Sequence, residues 1–119
     1  MSQLFFKGPL QAAIRAGKKT TTIRRWAKPL LQAGQRAYAP GVGWLEITDV
    51  QELLLERLTA ADAKADGFET ADALRKVLHE MYPNTRGDGK HWYRVAFKIA
   101  ELAPPRRRAS DEIPNLFVR

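Results

Sequence analysis

The sequence predicts one α+β domain, mainly β, in which a small closed or partly closed β-barrel lies beside α-helices. The chain of 119 residues has the length of a single domain and can bury one hydrophobic core without disulfides. Segments with the composition or alternation of strands outnumber those with helical spacing. No internal repeat is present in the sequence, so we expect one domain over residues 1–103 and a basic C-terminal tail over residues 104–119.

The first predicted element is a short helix over residues 9–17, PLQAAIRAG. Pro9 suits the first turn of a helix, and Gly17 suits the position just after the end of one. The apolar residues recur at spacings of three and four, which places them on one face: Leu10, Ala13 and Ile14.

Four segments have the composition of β-strands. Residues 20–24, TTTIR, are β-branched, and residues 36–39, RAYA, form a short strand that ends at Pro40. Residues 44–55 form a longer strand whose apolar positions depart from strict alternation, which indicates a β-bulge: Leu45, Ile47 and Val50. Residues 91–102 alternate most clearly, and the residues expected on one face are His91, Tyr93, Val95, Phe97 and Ile99.

Two helices are predicted between the long strands, over residues 59–67 and 70–83. Thr59 is expected to cap the first helix, with Asp62 three residues later completing a capping box. Thr70 is expected to cap the second helix, whose apolar residues form one buried face: Leu74, Val77, Leu78 and Met81.

The net charge of +7 is unevenly distributed along the chain. Residues 1–45 contain eight Lys or Arg and no acid, residues 46–82 contain nine acids and four bases, and residues 83–119 contain eight bases and four acids. A focused positive potential favours a nucleotide or polyanion partner. Solubility explains a basic surface equally well, so charge alone leaves both interpretations open.

Several classes of protein are disfavoured by composition. There is no cysteine, so disulfides and thiolate metal sites are excluded. No run of 18 apolar residues exists, and the N-terminus lacks the apolar stretch of a secretory signal, so we expect a cytoplasmic protein without a membrane partner. The two histidines, His79 and His91, lack the spacing of metal ligands, and we expect neither a metal nor a cofactor.

Residues 17–26, GKKTTTIRRW, bring together the groups best suited to chemistry. A lysine whose pKa is lowered by burial or by neighbouring cations can act as a base, and a threonine hydroxyl becomes a nucleophile when a base takes its proton. Lys19 and Thr22 would face opposite sides of a regular strand, so they meet only if Lys19 lies in the turn before it. An amphipathic strand with solvated lysines is the other interpretation.

Asp66 is the acid that helix electrostatics do not explain. It lies in the last predicted turn of its helix, where the carbonyl ends make a negative charge unfavourable. A carboxyl group in this position is either an incidental surface charge or a group whose raised pKa is useful in a site.

The aromatic residues offer flat surfaces for a nucleobase. Trp26 follows the basic strand, and Tyr93 lies near the start of the last strand, so both are candidates to contact a base. The other interpretation places most of the large aromatic residues in the core.

The order of these segments resembles the ASCH domain of the PUA-like superfamily. The similarity covers about residues 4–100 and rests on the G-x-K-T-x-T-I-R pattern beginning at Gly17, followed by LTAADAKADGF and a final WYRVAFKI. The resemblance implies a small PUA-like β-barrel with flanking helices. It also implies kinship with small bacterial amidohydrolases that act on N4-acetylcytidine through a lysine, a threonine and a glutamate. By position these are Lys19, Thr22 and Asp66, with aspartate in place of glutamate, and the family arginine is Arg24.

Two hypotheses follow. In the first, the protein removes the acyl group from N4-acylated cytidine or cytosine, with Lys19, Thr22 and Asp66 catalytic and with Arg24, Trp26 and Tyr93 binding the substrate. In the second, it is a module that binds single-stranded RNA, or cleaves it with magnesium, without amidohydrolase activity.

Overall fold

The computed structural model describes residues 2–103. The predicted basic tail, residues 104–119, lies outside the described residues. Among residues 2–103, no helix is long and apolar enough to cross a bilayer.

The centre of the fold is a four-stranded antiparallel sheet in the order β1-β4-β3-β2. Its strands are β1 (Thr21–Trp26), β2 (Arg36–Ala39), β3 (Gly43–Leu53) and β4 (His91–Leu102). The sheet curls into a half-barrel, which together with the flanking helices confirms the predicted mainly β, PUA-like architecture. The pairing of β3 with β4 shifts register twice, between Trp44 and Leu45 and between Ile47 and Asp49, which confirms the predicted bulge.

In the described part of the chain, three α-helices and one 3₁₀ turn accompany the sheet. They are α1 (Gly8–Arg15), the 3₁₀ turn Leu55–Arg57, α2 (Ala60–Ala65) and α3 (Ala71–Met81). Both predicted caps are confirmed. Thr59 and Asp62 form a reciprocal capping box at the start of α2, and the Thr70 hydroxyl accepts a hydrogen bond from the Ala73 N–H at the start of α3.

Among the residues that the structure describes, two apolar clusters divide the interior. The first joins α1 and the N-terminal segment to β2, β3 and β4, and its most deeply buried residues include Ile14, Leu45, Ile47 and Val95. The second joins β1 to α2 and α3, and its buried residues include Ile23, Ala63, Leu74 and Leu78. A cleft between α1 and the α2–α3 pair is therefore bordered by β1.

The N-terminal end of α2 is anchored to the sheet by one ion pair. Arg94 on β4 places Nη1 2.6 Å from Oδ1 of Asp62. The Thr59 backbone N–H, aided by the Thr59 side chain and by Arg94, holds the pKa of Asp62 below its ordinary value. This carboxylate thus accepts the hydrogen bond of the Thr59 N–H at the start of the helix and also fixes the orientation of α2. The orientation of α2 in turn sets the position of its C-terminal end.

One side chain of α3 departs from the predicted buried face. Met81 is 46% exposed, because it is the last residue of the helix and projects beyond the second apolar cluster. Val77 is half-buried, whereas Leu74 and Leu78 are buried as predicted. The exposed and half-buried members of the stripe border the cleft.

Candidate active site

The turn between α1 and β1 carries Lys19 into the protein interior. Helix α1 ends at Arg15, and Gly17 adopts a φ of 78°, a conformation that glycine reaches without steric cost. The backbone N–H of Lys19 then bonds back to the carbonyl of Ala13 at 3.2 Å, and β1 begins only at Thr21. Lys19 therefore precedes the strand, as a meeting with Thr22 requires, and it is 3% exposed.

Asp66 caps the C-terminal end of α2 and is equally buried, at 3% exposure. Gly67 follows with a φ of 93°, which turns the chain sharply after the helix. The Thr20 N–H donates to the carbonyl of Ala65 at 2.7 Å and joins the start of β1 to the end of α2. The start of β1 and the end of α2 are thus fixed to one another next to the carboxyl group of Asp66.

Lys19 and Asp66 form a buried ion pair with two hydrogen bonds. Nζ of Lys19 lies 2.5 Å from Oδ1 of Asp66 and 2.9 Å from its backbone carbonyl oxygen. Burial lowers the pKa of Lys19 below its ordinary 10.5, and the Arg24 charge acts in the same direction, although Asp66 opposes the shift. Burial likewise raises the pKa of Asp66 above its ordinary 3.8 against the opposing effect of Lys19. Both shifts bring the pair towards sharing one proton.

Thr22 and Arg24 form a second hydrogen-bonded pair on β1. Nε of Arg24 donates to Oγ1 of Thr22 at 3.0 Å, and Nη2 donates to the carbonyl of Phe5 at 3.0 Å. The guanidinium carbon also lies 4.9 Å from the centre of the Phe6 ring. Arg24 was expected to bind substrate, but these contacts direct much of its hydrogen-bonding capacity to Thr22 and the backbone.

These side chains meet at a cavity of about 330 Å³ in the cleft. This volume falls in the range of small-molecule sites. Polar groups occupy one part of the wall, and apolar side chains form most of the rest. The residues that line the cavity include Lys19, Thr22, Arg24, Asp66, Phe68 and Met81. Lys19 and Thr22 therefore share a cavity, although the hydrogen bonds of the lysine amine go to Asp66.

The two aromatic residues expected to contact a base lie elsewhere. Trp26 and Tyr93 contact each other, with ring centres 5.8 Å apart, and neither lines the cavity that holds Lys19. Tyr93 is 6% exposed and pairs with Arg24 across β1 and β4, so its ring belongs to the interior of the sheet. Trp26 borders a separate cavity of about 250 Å³ beside Leu30 and Arg24.

Sequence reasoning missed three contributors to the site. Phe68 and Met81 form apolar parts of the cavity wall, and Thr21 hydrogen-bonds to Asp66. For Thr21 a signal was present, because Lys19 and Thr21 are two residues apart and point to the same side of an extended chain. No comparable sequence signal identifies Phe68 or Met81 as cavity residues.

Within residues 2–103, no group of three or more His, Asp or Glu side chains is placed to hold a metal ion. The polar groups that line the cavity include an amine, a hydroxyl, a carboxyl and a guanidinium group.

Comparisons with known proteins identify the fold and the family of the chain. No family model matches the chain. Two solved structures share its fold at 16% sequence identity. A protein of Enterococcus faecalis V583 described under the family name DUF984 gives a TM-score of 0.69, covering 91% of this chain and 86% of that one. A mutant of the ASCH protein of Zymomonas mobilis gives 0.61, covering 86% and 71%. The fold is thus that of an ASCH domain.

A curated relative is similar to this chain in sequence as well. The N(4)-acetylcytidine amidohydrolase of Edwardsiella ictaluri (strain 93-146) is 39% identical over an alignment of 79 residues, which covers 61% of this chain and 73% of the relative. The chain belongs to the ASCH-domain family of small amidohydrolases.

Proposed function

We propose that this protein removes the acyl group from N4-acylated cytidine or cytosine derivatives. The observation that supports this most is the convergence of Lys19, Thr22 and Asp66 on one cavity in which the amine and the carboxyl group are both buried. The related amidohydrolase of Edwardsiella ictaluri supports the choice of substrate.

Lys19 acts as the general base. A neutral amine has two N–H donors and one lone pair. When the one shared proton of the pair lies on Asp66, the two hydrogen bonds from Nζ to Asp66 engage both donors of the neutral Lys19 amine and leave its lone pair for a proton from the cavity. Burial, together with the Arg24 charge, favours this neutral form by lowering the lysine pKa.

Thr22 acts as the nucleophile. Its hydroxyl oxygen accepts a hydrogen bond from Nε of Arg24, so its own proton is free to pass to Lys19. The oxygen then attacks the acyl carbonyl carbon, and the Arg24 charge beside it stabilises the developing negative charge. The role proposed for Arg24 is therefore to support Thr22 rather than to hold the cytosine ring.

Asp66 passes a proton to the departing amine. The bond between the acyl carbon and N4 breaks, N4 takes the proton, and the acyl group remains as an ester on Thr22. Water then attacks the ester and gives a proton to Asp66, the bond between the acyl carbon and the Thr22 oxygen breaks, and Lys19 returns to that oxygen the proton it took; the carboxylic acid leaves and all three side chains are restored. A variant of this sequence uses Thr22 only to orient the substrate, with water as the nucleophile and Asp66 as its base.

Purified protein is expected to convert N4-acetylcytidine to cytidine and acetate in the presence of EDTA. Product formation is measured by chromatography with ultraviolet detection. Lys18→Met provides a matched control, because Lys18 is exposed beside Lys19 and this variant should retain wild-type turnover.

The same assay can also contradict the proposed activity. Absence of turnover on every member of a panel of N4-acylated cytidines would contradict the proposal. Salt-sensitive binding of single-stranded RNA by the same inactive protein would support the nucleic-acid module instead.

The dependence of kcat/KM on pH is expected to be bell-shaped. The active pair holds one shared proton, so activity is lost at low pH when Asp66 and Lys19 are both protonated, and at high pH when both have lost their protons. The raised pKa of Asp66 moves the acidic limb above 3.8, and the lowered pKa of Lys19 moves the basic limb below 10.5. Initial rates across this range with N4-acetylcytidine test the prediction. A rate that climbs steadily through pH 10.5 would contradict it.

A further inference from the structure

The hydroxyl group of Thr21 lies against the carboxyl group of Asp66. Oγ1 of Thr21 is 3.2 Å from Oδ2 of Asp66, and Thr21 is 7% exposed. Lys19 holds the other carboxyl oxygen, Oδ1. The two oxygens of Asp66 therefore have different partners, which restricts rotation of the carboxyl group about its last bond.

Thr21 is one of the two variable positions of the G-x-K-T-x-T-I-R pattern, so the pattern assigns it no role. Its neighbour Thr22 points to the cavity with Arg24, whereas Thr21 points to the end of α2. A β-branched apolar residue would serve the strand equally well at this position. The hydroxyl group thus adds a polar contact that strand formation does not require.

We propose that Thr21 is a positioning residue that orients Asp66 for proton transfer to the leaving amine. This inference rests on the proposed function. Asp66 has a shorter side chain than the glutamate of the family pattern, so its carboxyl group has fewer torsions through which to reach the substrate. The hydrogen bond from Thr21, added to the one from Lys19, holds the carboxyl group of Asp66 in one orientation.

A threonine hydroxyl suits a carboxyl group that gains and loses a proton. It donates to the ionised form and accepts from the protonated form, so the contact persists through the reaction. The charged groups acting on Asp66 are Lys19, in the turn before β1, and Arg24 on β1 itself, while Lys7 beside α1 lines the same cavity. Thr21 is the neutral hydrogen-bonding partner among them.

The test is Thr21→Val, which keeps the shape of the side chain and removes the hydroxyl group. We expect kcat on N4-acetylcytidine to fall about tenfold, as for loss of a hydrogen bond to a charged group. The acidic limb of the pH profile should move to higher pH, because the ionised carboxylate loses a donor that lowers its pKa. Titration of the Asp66 carboxyl carbon by carbon-13 NMR should show the same upward shift without any substrate.

Three further variants make the result specific. Thr21→Ser keeps the hydroxyl group, so it should have nearly wild-type activity and a nearly wild-type Asp66 titration. If Thr21→Val does not fold properly, Thr21→Ala replaces it and should show the same fall in kcat and the same upward shift. Thr20→Val is the matched control, because Thr20 is exposed and its hydroxyl lies 3.4 Å from the Ala65 carbonyl rather than against Asp66. It should leave both readouts unchanged.

Wild-type kcat in Thr21→Val together with an unmoved Asp66 titration would overturn the inference. An inactive wild-type protein would overturn the proposed function instead. The two failures are distinguishable, because the NMR titration measures the hold of Thr21 on the carboxyl group without turnover.

Discussion

Lys19→Met is expected to lower kcat/KM on N4-acetylcytidine by a factor of about 100 to 10,000, the range typical of loss of a general base. Methionine fills nearly the same volume without an amine, so no group in the cavity takes the proton of Thr22. The loss should persist at every pH, since no change of protonation restores the lone pair. Steady-state kinetics beside Lys18→Met test this expectation, and a Lys19→Met enzyme with more than half of the wild-type rate would refute a role for Lys19 as base.

The same substitution separates catalysis from stability. Removing one partner of a buried ion pair costs about 3–5 kcal/mol, because the other charge is left uncompensated. In Lys19→Met the uncompensated charge would be the carboxylate of Asp66, which is only 3% exposed. Adding Asp66→Asn to Lys19→Met removes the stranded charge, so urea denaturation should show recovered stability while activity remains absent. Activity that recovered together with stability would mean that the pair has only a structural role.

The parts of the site that sequence predicted are those determined by local geometry. Gly17 and Gly67 each occupy a left-handed conformation at a helix end, and the sequence signal for a glycine at that position is strong. These two turns place Lys19 outside β1 and Asp66 at the end of α2. Asp66 stood out in the sequence because a negative charge is unfavourable at the C-terminal end of a helix, and in the structure it is paired with the buried Lys19 amine.

The parts that sequence did not predict depend on how distant elements meet. Trp26 and Tyr93 look like exposed stacking surfaces in a list of aromatic residues, but antiparallel pairing of β1 with β4 brings them together. Met81 fits the apolar spacing of α3, and only the length of the helix relative to the core makes it a cavity residue. Periodicity reports which face a residue occupies, not what lies opposite that face.

Thr22→Val is the second substitution with a large expected effect. If Thr22 is the nucleophile, its loss removes the acyl-enzyme route altogether, and kcat should fall about a thousandfold or more, as for loss of a catalytic nucleophile. Thr22→Ser should retain substantial activity, because serine keeps the oxygen that Nε of Arg24 contacts at 3.0 Å. Thr20→Val, at an exposed position of the same threonine run, should behave as the wild type.

The covalent intermediate gives this prediction a direct readout. Acid quenching during turnover should yield wild-type protein heavier by one acyl group, and peptide mapping should place that group on Thr22. The valine variant leaves Nε of Arg24 without its acceptor, at a cost of about 1–3 kcal/mol, so circular dichroism must first show that it is folded. A folded Thr22→Val enzyme that retained most of its kcat would exclude attack by Thr22. Because the Lys19–Asp66 pair would still be intact in that enzyme, water activated by Asp66 would then be the nucleophile.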